Sequence, residues 1–228
     1  MALAYPINCN IAGWNCLVVG GGSVGTRRTA GLLESGAIVT VVAMQASNEL
    51  ISMSESGTIA LLLEPFRPDH LDGMRLAIAA VDNKVVNDAV GEHCRKRNIL
   101  VNRADDSSRG DFTVPAVIRR GALTLSAATD GSHPRLTAKI AQTLSAMYGP
   151  EYEPYVAMLR LVRLEILAEA AAHHEREAAF NALNDHEADL LHLIKNGREA
   201  EALHVARGAV SSAIHGLRTH HSLETHQQ

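Results

Sequence analysis

The amino-acid sequence predicts an α/β protein that turns all-helical toward its C-terminus. Three observations carry that reading. Short apolar runs alternate with helical patterns through the first half of the chain. Two strand-like runs then follow each other with only a tight turn between them. From Pro154 onward the chain is almost entirely helical in period and rich in alanine and leucine.

Taken in order, residues 16–19 (CLVV) read as a buried strand. Residues 26–34 read as an amphipathic helix, closed by Ser35-Gly36, where glycine takes the left-handed cap. Residues 38–43 (IVTVVA), 58–63 and 76–80 (LAIAA) are the next three strands. Asp82-Asn83 opens a helix that runs to about Arg97, and residues 99–102 (ILVN) form a fifth strand. Such alternation predicts a parallel sheet covered on both faces. RADDSSRGD is a polar loop. Residues 112–118 and 122–127, separated by Arg119-Arg120-Gly121, read as a hairpin. ATDGSHPRLTAKIAQTLSAMYG is a polar loop entering a helix. The tail from His220, HHSLETHQQ, reads as frayed or disordered.

Composition narrows the function classes. The 228 residues suit one large domain or a nucleotide-binding domain with an appendage. The chain is 46% hydrophobic and 20% charged, as in globular proteins. A net charge of -4 supplies no global basic field for nucleic acid. No apolar run is long enough to cross a bilayer, and MALAYPINCNIAG lacks the marks of a secretory signal. Three cysteines without CxxC spacing indicate neither a disulfide framework nor a closed metal site. These features fit a reducing cytoplasm.

Gly20-x-Gly22-x-x-Gly25 follows the first strand and opens the first helix. In that context the first glycine permits the tight turn and the second admits a pyrophosphate to the backbone. The third lets helix and strand pack closely, and the helix N-terminus faces the phosphates. This is a Rossmann dinucleotide site. A P-loop is excluded, because no Gly-Lys-Ser/Thr follows. The second strand ends in Ala43-Met44-Gln45, where an acid for the ribose 2′-hydroxyl is expected, and no cation stands there for a 2′-phosphate. NAD is therefore favoured over NADP, with backbone groups or Gln45 holding the ribose. The predicted cofactor site is Gly20, Gly22, Ser23, Val24, Gly25, Ala43, Met44, Gln45, Ala80, Val81 and Asp82.

Across residues 5–152 the chain resembles the precorrin-2 dehydrogenase family, found also as the N-terminal part of bifunctional siroheme synthase. The resemblance rests on YPINCNIAG leading into CLVVGGGSVGTRR, on GAIVTVVA, on AIAAVDNKVVN, on VNRADDSSRGDFTVPAVIRRGALTLSAATDGSHP and on MYGPEY. One departure is Thr129-Asp130-Gly131-Ser132-His133-Pro134, where relatives often show Ser-Gly-Gly or Thr-Gly-Gly before Ser-Pro. What the resemblance implies is hydride transfer from precorrin-2 to NAD⁺, giving sirohydrochlorin, with ferrous iron insertion by some members. It implies a Rossmann domain (1–112), a dimerisation segment carrying the substrate loop (113–150) and a C-terminal helical domain (151–228), paired as a homodimer. The hairpin's strand edges and apolar side chains also call for cover.

Oxidation of such a macrocycle needs a proton acceptor beside the cofactor, at the carboxyl end of the sheet. Asp105, just after the ILVN strand, stands there and matches the family's catalytic aspartate, with Asp106 as the neighbouring alternative. A purely chemical role predicts that Asp105→Ala melts like the wild type, whereas a turn-capping acid would affect stability only. The substrate's rim carboxylates need fixed cations. Arg103, Arg109, Arg119, Arg120 and Arg135 are the candidates, with Arg119-Arg120 equally readable as a solvated hairpin turn. Thr129, Ser132 and His133 line the substrate loop. Thr129 falls where some bifunctional relatives carry a phosphorylated serine.

Nine of the twelve histidines lie from His173 onward. His173-His174 and His220-His221 are adjacent pairs that face different ways on a helix, and no HExxH pattern occurs, so no metal site is assigned. His186, His192, His204 and His215 read as partners of surface acids. Two further functions compete with the dehydrogenase: a bifunctional dehydrogenase–ferrochelatase, and an NAD(H)-sensing regulator that signals through its helical domain. A sensor needs neither the Asp105 loop nor an arginine-rich hairpin.

Overall fold

The computed structural model describes residues 4–129, 131–170 and 172–225, with side chains through 219. Asp130, singled out above, lies outside the described residues. The chain forms two compact units, Met1–Pro115 with Ala128–His133, and Ala116–Ala127 with Pro134–Gln228.

The first unit contains β1 (Asn15–Gly21), α1 (Ser23–Glu34), β2 (Ile38–Ala46), α2 (Asn48–Glu55), β3 (Ala60–Leu62), β4 (Leu76–Ala79), α3 (Lys84–Arg97) and β5 (Leu100–Arg103). Its strands form one parallel sheet in the order β3-β2-β1-β4-β5. β1 is central and buried from Cys16 to Gly21, so it reads as a continuous apolar run rather than an alternating one. Its side chains still divide by the strand period of two. Cys16 and Val18 join Val39, Val41, Ile78 and Leu32 of α1 on one face. Leu17 and Val19 join Val42, Ala77, Ala79 and the α3 residues Val90 and Cys94 on the other. From β1 the chain moves to β2 on one side and later to β4 on the other. The carboxyl ends of β1 and β4 therefore flank the switch point, where ligands bind in sheets of this kind.

Local signals explain the element ends. Gly36 takes a left-handed φ of 77° after α1, as its position predicts. Asn83 caps α3 by accepting from the N–H groups of Val85 and Val86. β2 runs on to Ala46, because Gly21 pairs with Ala46 and the Ser47 N–H bonds the Gly21 carbonyl at 2.9 Å. The Ser47 side chain then accepts from Leu50 N–H and starts α2, a helix not assigned from the sequence.

The second unit begins with an antiparallel hairpin, β6 (Ala116–Arg120) and β7 (Leu123–Ala127). Arg119 and Arg120 belong to β6, opposite Thr124 and Leu123, so the turn is Gly121-Ala122 rather than the arginine pair. A two-residue turn matches the strand twist, and Gly121 supplies its positive φ of 56°. α4 (Pro134–Met147) follows, then α5 (Tyr152–Glu169), α6 (His173–Asp185), α7 (Glu187–Lys195) and α8 (Glu199–Thr225). α5 to α8 share a core built on Val162, Ile166, Leu183, Leu190 and Ile214. α8 continues through the stretch from His220 to Thr225 where a frayed tail is expected. α4 is amphipathic, yet it buries no residue, and its Leu136, Ile140 and Met147 are exposed.

Candidate active site

The glycine loop is shaped by its neighbours. Gly20 has φ +127°, and a Cβ there would lie 2.3 Å from the Ala80 carbonyl oxygen. A Cβ on Gly21 would lie 2.1 Å from the Gln45 carbonyl oxygen. One on Gly25 would lie 2.0 Å from the Gly20 oxygen, so this glycine lets α1 sit against β1. A Cβ on Gly22 meets nothing within 4 Å. Among the glycines of this loop, Gly22 alone has open space where a Cβ would stand. It also stands at the N-cap of α1, where no side chain accepts from the first turn. The free N–H groups of that turn fit a pyrophosphate.

Above the loop runs an open groove of about 440 Å³. Gly20, Gly22, Ser23 and Val24 line it, with Ala43, Met44 and Gln45 from the end of β2 and Ala80, Val81 and Asp82 after β4. Gly25 lies beneath the loop. The lining also includes Glu64, Pro65 and Phe66, which the sequence pattern did not single out.

Beside the groove, Asp82, Lys84, Asn87, Asp105 and Asp106 line a second hollow, which shares Val81 and Asp82 with the first. Here the two adjacent acids separate. Asp106 accepts from the Ser108 N–H at 3.1 Å and from its hydroxyl at 2.6 Å, capping a short 3₁₀ turn, Ser107–Arg109. Asp105 instead receives Arg103 in a bidentate pair, Nε to Oδ1 at 2.9 Å and Nη2 to Oδ2 at 2.7 Å. The third nitrogen of Arg103 donates to Asp88 on α3 at 2.8 Å. Asp88 also accepts from Arg109 at 2.5 Å. The Arg103 guanidinium holds Asp105 down at about 2, with the buried amide of Asn87 adding to it. Asn87 itself pins the turn after β4, donating to the Val81 carbonyl at 2.8 Å.

The expectation that Arg103 meets substrate carboxylates does not hold. Its side chain has no exposure, and its guanidinium is engaged by two protein carboxylates. Arg120 is likewise committed. It donates to the Tyr148 and Ser145 carbonyls and to the Ser145 hydroxyl, and so caps the end of α4. Arg109 keeps 37% of its side chain exposed. Arg119 and Arg135 are exposed on β6 and α4 of the second unit. Thr129, Ser132 and His133 come together in one turn. The Ser132 N–H and hydroxyl both bond the Thr129 carbonyl, and the His133 N–H bonds the Thr129 hydroxyl at 3.3 Å. That turn lies against the acid loop: a Cβ on Gly131 would be 2.9 Å from the Ser107 hydroxyl. In the second unit, His186 bonds the Ala182 carbonyl and His192 meets Asn196, rather than surface acids.

A parallel sheet whose glycine loop opens at its switch point defines a dinucleotide-binding protein of the Rossmann class. In agreement, the NAD_binding_7 model, an NAD(P)-binding family, matches residues 7–116. The precorrin-2 dehydrogenase of Priestia megaterium is 35% identical over 162 residues, 71% of this chain and 80% of that protein. The siroheme synthase of Chromobacterium violaceum is 38% identical over 148 residues, 65% of this chain and 32% of that one. A solved structure, the precorrin-2 dehydrogenase SirC, superposes with a TM-score of 0.71 at 29% identity, covering 90% of this chain and all of SirC. The chain belongs to the precorrin-2 dehydrogenase family. It spans about a third of the siroheme synthase and four fifths of the Priestia enzyme.

Two outcomes follow from the geometry. Gly25→Val should lower stability by about 1–3 kcal/mol through overpacking, whereas Gly22→Val should melt like the wild type and lose NAD⁺ binding. Thermal unfolding and dinucleotide titration of both variants check this, and normal NAD⁺ affinity in Gly22→Val would count against the placement.

The second outcome corrects the expectation that Asp105→Ala leaves stability unchanged, because that change strips a buried guanidinium of one of its two anions. Asp105 has a folded pKa of about 2 against an ordinary 3.8. Its stabilisation is thus present above pH 4 and is lost as the pH falls through 2. After allowance for its partial exposure it amounts to about 1–2 kcal/mol. The stability difference between wild type and Asp105→Ala, from urea unfolding at successive pH values, should shrink over that window. A constant difference would show that the ion pair contributes nothing.

Proposed function

We propose that this protein oxidises precorrin-2 to sirohydrochlorin with NAD⁺ in siroheme biosynthesis. The observation that carries this reading is a fixed, ionised carboxylate, Asp105, in a hollow that shares Val81 and Asp82 with the cofactor groove. Bound NAD⁺ supplies the hydride acceptor. The α1 N-terminus and the glycine loop hold the pyrophosphate, and the ends of β2 and β4 flank the rest of the cofactor. Loss of a hydride leaves the macrocycle cationic, and a proton must then depart. The Asp105 carboxylate opposes the positive charge as it develops and accepts the proton. Arg109, Arg119 and Arg135 meet the rim carboxylates of the substrate, with Thr129, Ser132 and His133 in the adjoining loop. Asp106 serves the loop as a cap. An NAD(H) sensor has no use for the clamped acid. Three free thiols, Cys9, Cys16 and Cys94, suit a cytoplasmic setting. Among the described residues no helix is long and apolar enough to cross a membrane.

Asp105→Asn keeps an oxygen for Arg103 and removes the charge. Its rate of NADH formation from precorrin-2 should fall by about two to four orders of magnitude, with NAD⁺ affinity unchanged. Near-wild-type turnover would refute the assignment and turn attention to Asp106.

The segment 113–150 is the pairing surface in this reading, and the protein acts as a homodimer. α4 supports it, with the exposed Leu136 and Ile140 one turn apart on the helix. Sedimentation at micromolar concentration should show a dimer, and the double change Leu136→Glu with Ile140→Glu should give a folded monomer. A wild type that sediments as a monomer overturns the pairing.

A further inference from the structure

The groove lacks an acid at the end of β2, where Ala43-Met44-Gln45 stand. The neighbouring strand supplies one. β2 and β3 pair in parallel with Thr40 opposite Ala60 and Val42 opposite Leu62. Beyond the last of these pairs, Met44 still belongs to β2 and Glu64 lies two residues past the end of β3, in the bend that follows it. Both line the groove.

The carboxylate of Glu64 is held from one side. Arg67 Nη2 at 3.0 Å and His70 Nε2 at 2.8 Å both reach Oε1. Oε2 has no protein donor among the described residues. The tautomer of His70 follows from its other nitrogen. Nδ1 accepts from the Arg67 backbone N–H at 3.1 Å, so the proton sits on Nε2 and points at Glu64. With only 6% of its side chain exposed, His70 is a rigid prop. Arg67, and after it His70, hold the Glu64 carboxyl below the usual range, which keeps it an anion. Glu64, rather than Arg67, is among the residues that line the groove.

We propose that Glu64 is the specificity-determining acid of this cofactor site. Its Oε2 accepts a hydrogen bond from the adenosine ribose 2′-hydroxyl of NAD⁺, and its charge rejects the 2′-phosphate of NADP⁺. Acidic residues do both jobs in dinucleotide sites, and a second anion in the same place is a repulsive element against the wrong cofactor. Glu64 thus takes the role that Gln45 or backbone groups are expected to fill. The inference rests on the NAD⁺ site proposed above and adds the residue that discriminates at it.

The test is calorimetric titration of the full chain with NAD⁺ and NADP⁺, without precorrin-2, in the wild type, Glu64→Gln and Glu64→Asp. The wild type should prefer NAD⁺. Glu64→Gln should bind NAD⁺ about tenfold more weakly, through loss of a charge-assisted hydrogen bond, and should bind NADP⁺ no worse than the wild type. Glu64→Asp shortens the reach and keeps the charge, so it should weaken NAD⁺ and still reject NADP⁺. An unchanged NAD⁺/NADP⁺ ratio in Glu64→Gln, with normal melting, overturns the inference and leaves the NAD⁺ site standing. A wild type that binds neither dinucleotide overturns both. Tighter binding of NADP⁺ than NAD⁺ by the wild type refutes the role of Glu64 and implicates Arg67 instead.

Discussion

The Arg103 guanidinium is the constraint on which the site depends. A fully buried cation is tolerated only with carboxylates in direct contact, because its desolvation cost is otherwise uncompensated. Here two elements must bring them: α3 contributes Asp88, and the loop after β5 contributes Asp105. Asp88 in turn anchors Arg109 further along that loop. The acid loop is thus tied to α3 by charge, while backbone bonds such as Ala104 N–H to the Ala79 carbonyl at 3.0 Å join it to the sheet. Asp105 is ionised and fixed because Arg103 requires a partner. Stability and the proposed chemistry draw on the same pair, so an alanine at position 105 tests both together and an asparagine separates them better.

The second constraint is the carboxyl edge of the parallel sheet. Gly20 and Gly21 lie so close to the ends of β4 and β2 that any side chain would collide with backbone. That crowding leaves only Gly22 and the first turn of α1 facing outward. Ser47 then joins the two helices beside β2: it caps α2, and its hydroxyl meets the Thr26 hydroxyl of α1 at 2.8 Å. The phosphate cradle is in this way a product of strand packing.

Much of this was legible in the sequence. Branched runs, Asn83 and Gly36 mark the strands and caps, and the glycine spacing locates the groove. What was missed has identifiable causes. Arg103 lies two residues beyond Val101, on the same strand, so the period of two turns both toward α3; taking residues 99–102 as the whole strand hid that. Arg120 follows Ile118 in the same way and turns inward on β6. Ser47 three residues before Leu50 is a cap signal for α2 that the long apolar strand before it obscured. Glu64 could not be found from spacing alone, because its value depends on the register between β2 and β3, a non-local property. The two adjacent acids were indistinguishable in sequence and are told apart only by their partners, an arginine for Asp105 and a serine for Asp106.

The depressed pKa of Asp105 also constrains the order of events in the proposed reaction. A carboxylate held at about 2 is a weak base, poorly matched to drawing a proton from a neutral carbon acid. It can take one from a cation, whose acidity is far greater. In the proposed reaction this favours loss of the hydride ahead of proton transfer, with the fixed charge of Asp105 opposing the positive macrocycle in between. A base whose pKa approached the working pH would bind that proton more readily but would be neutral for part of the time, and so would lose part of the electrostatic contribution. Arg103 resolves the conflict in favour of charge.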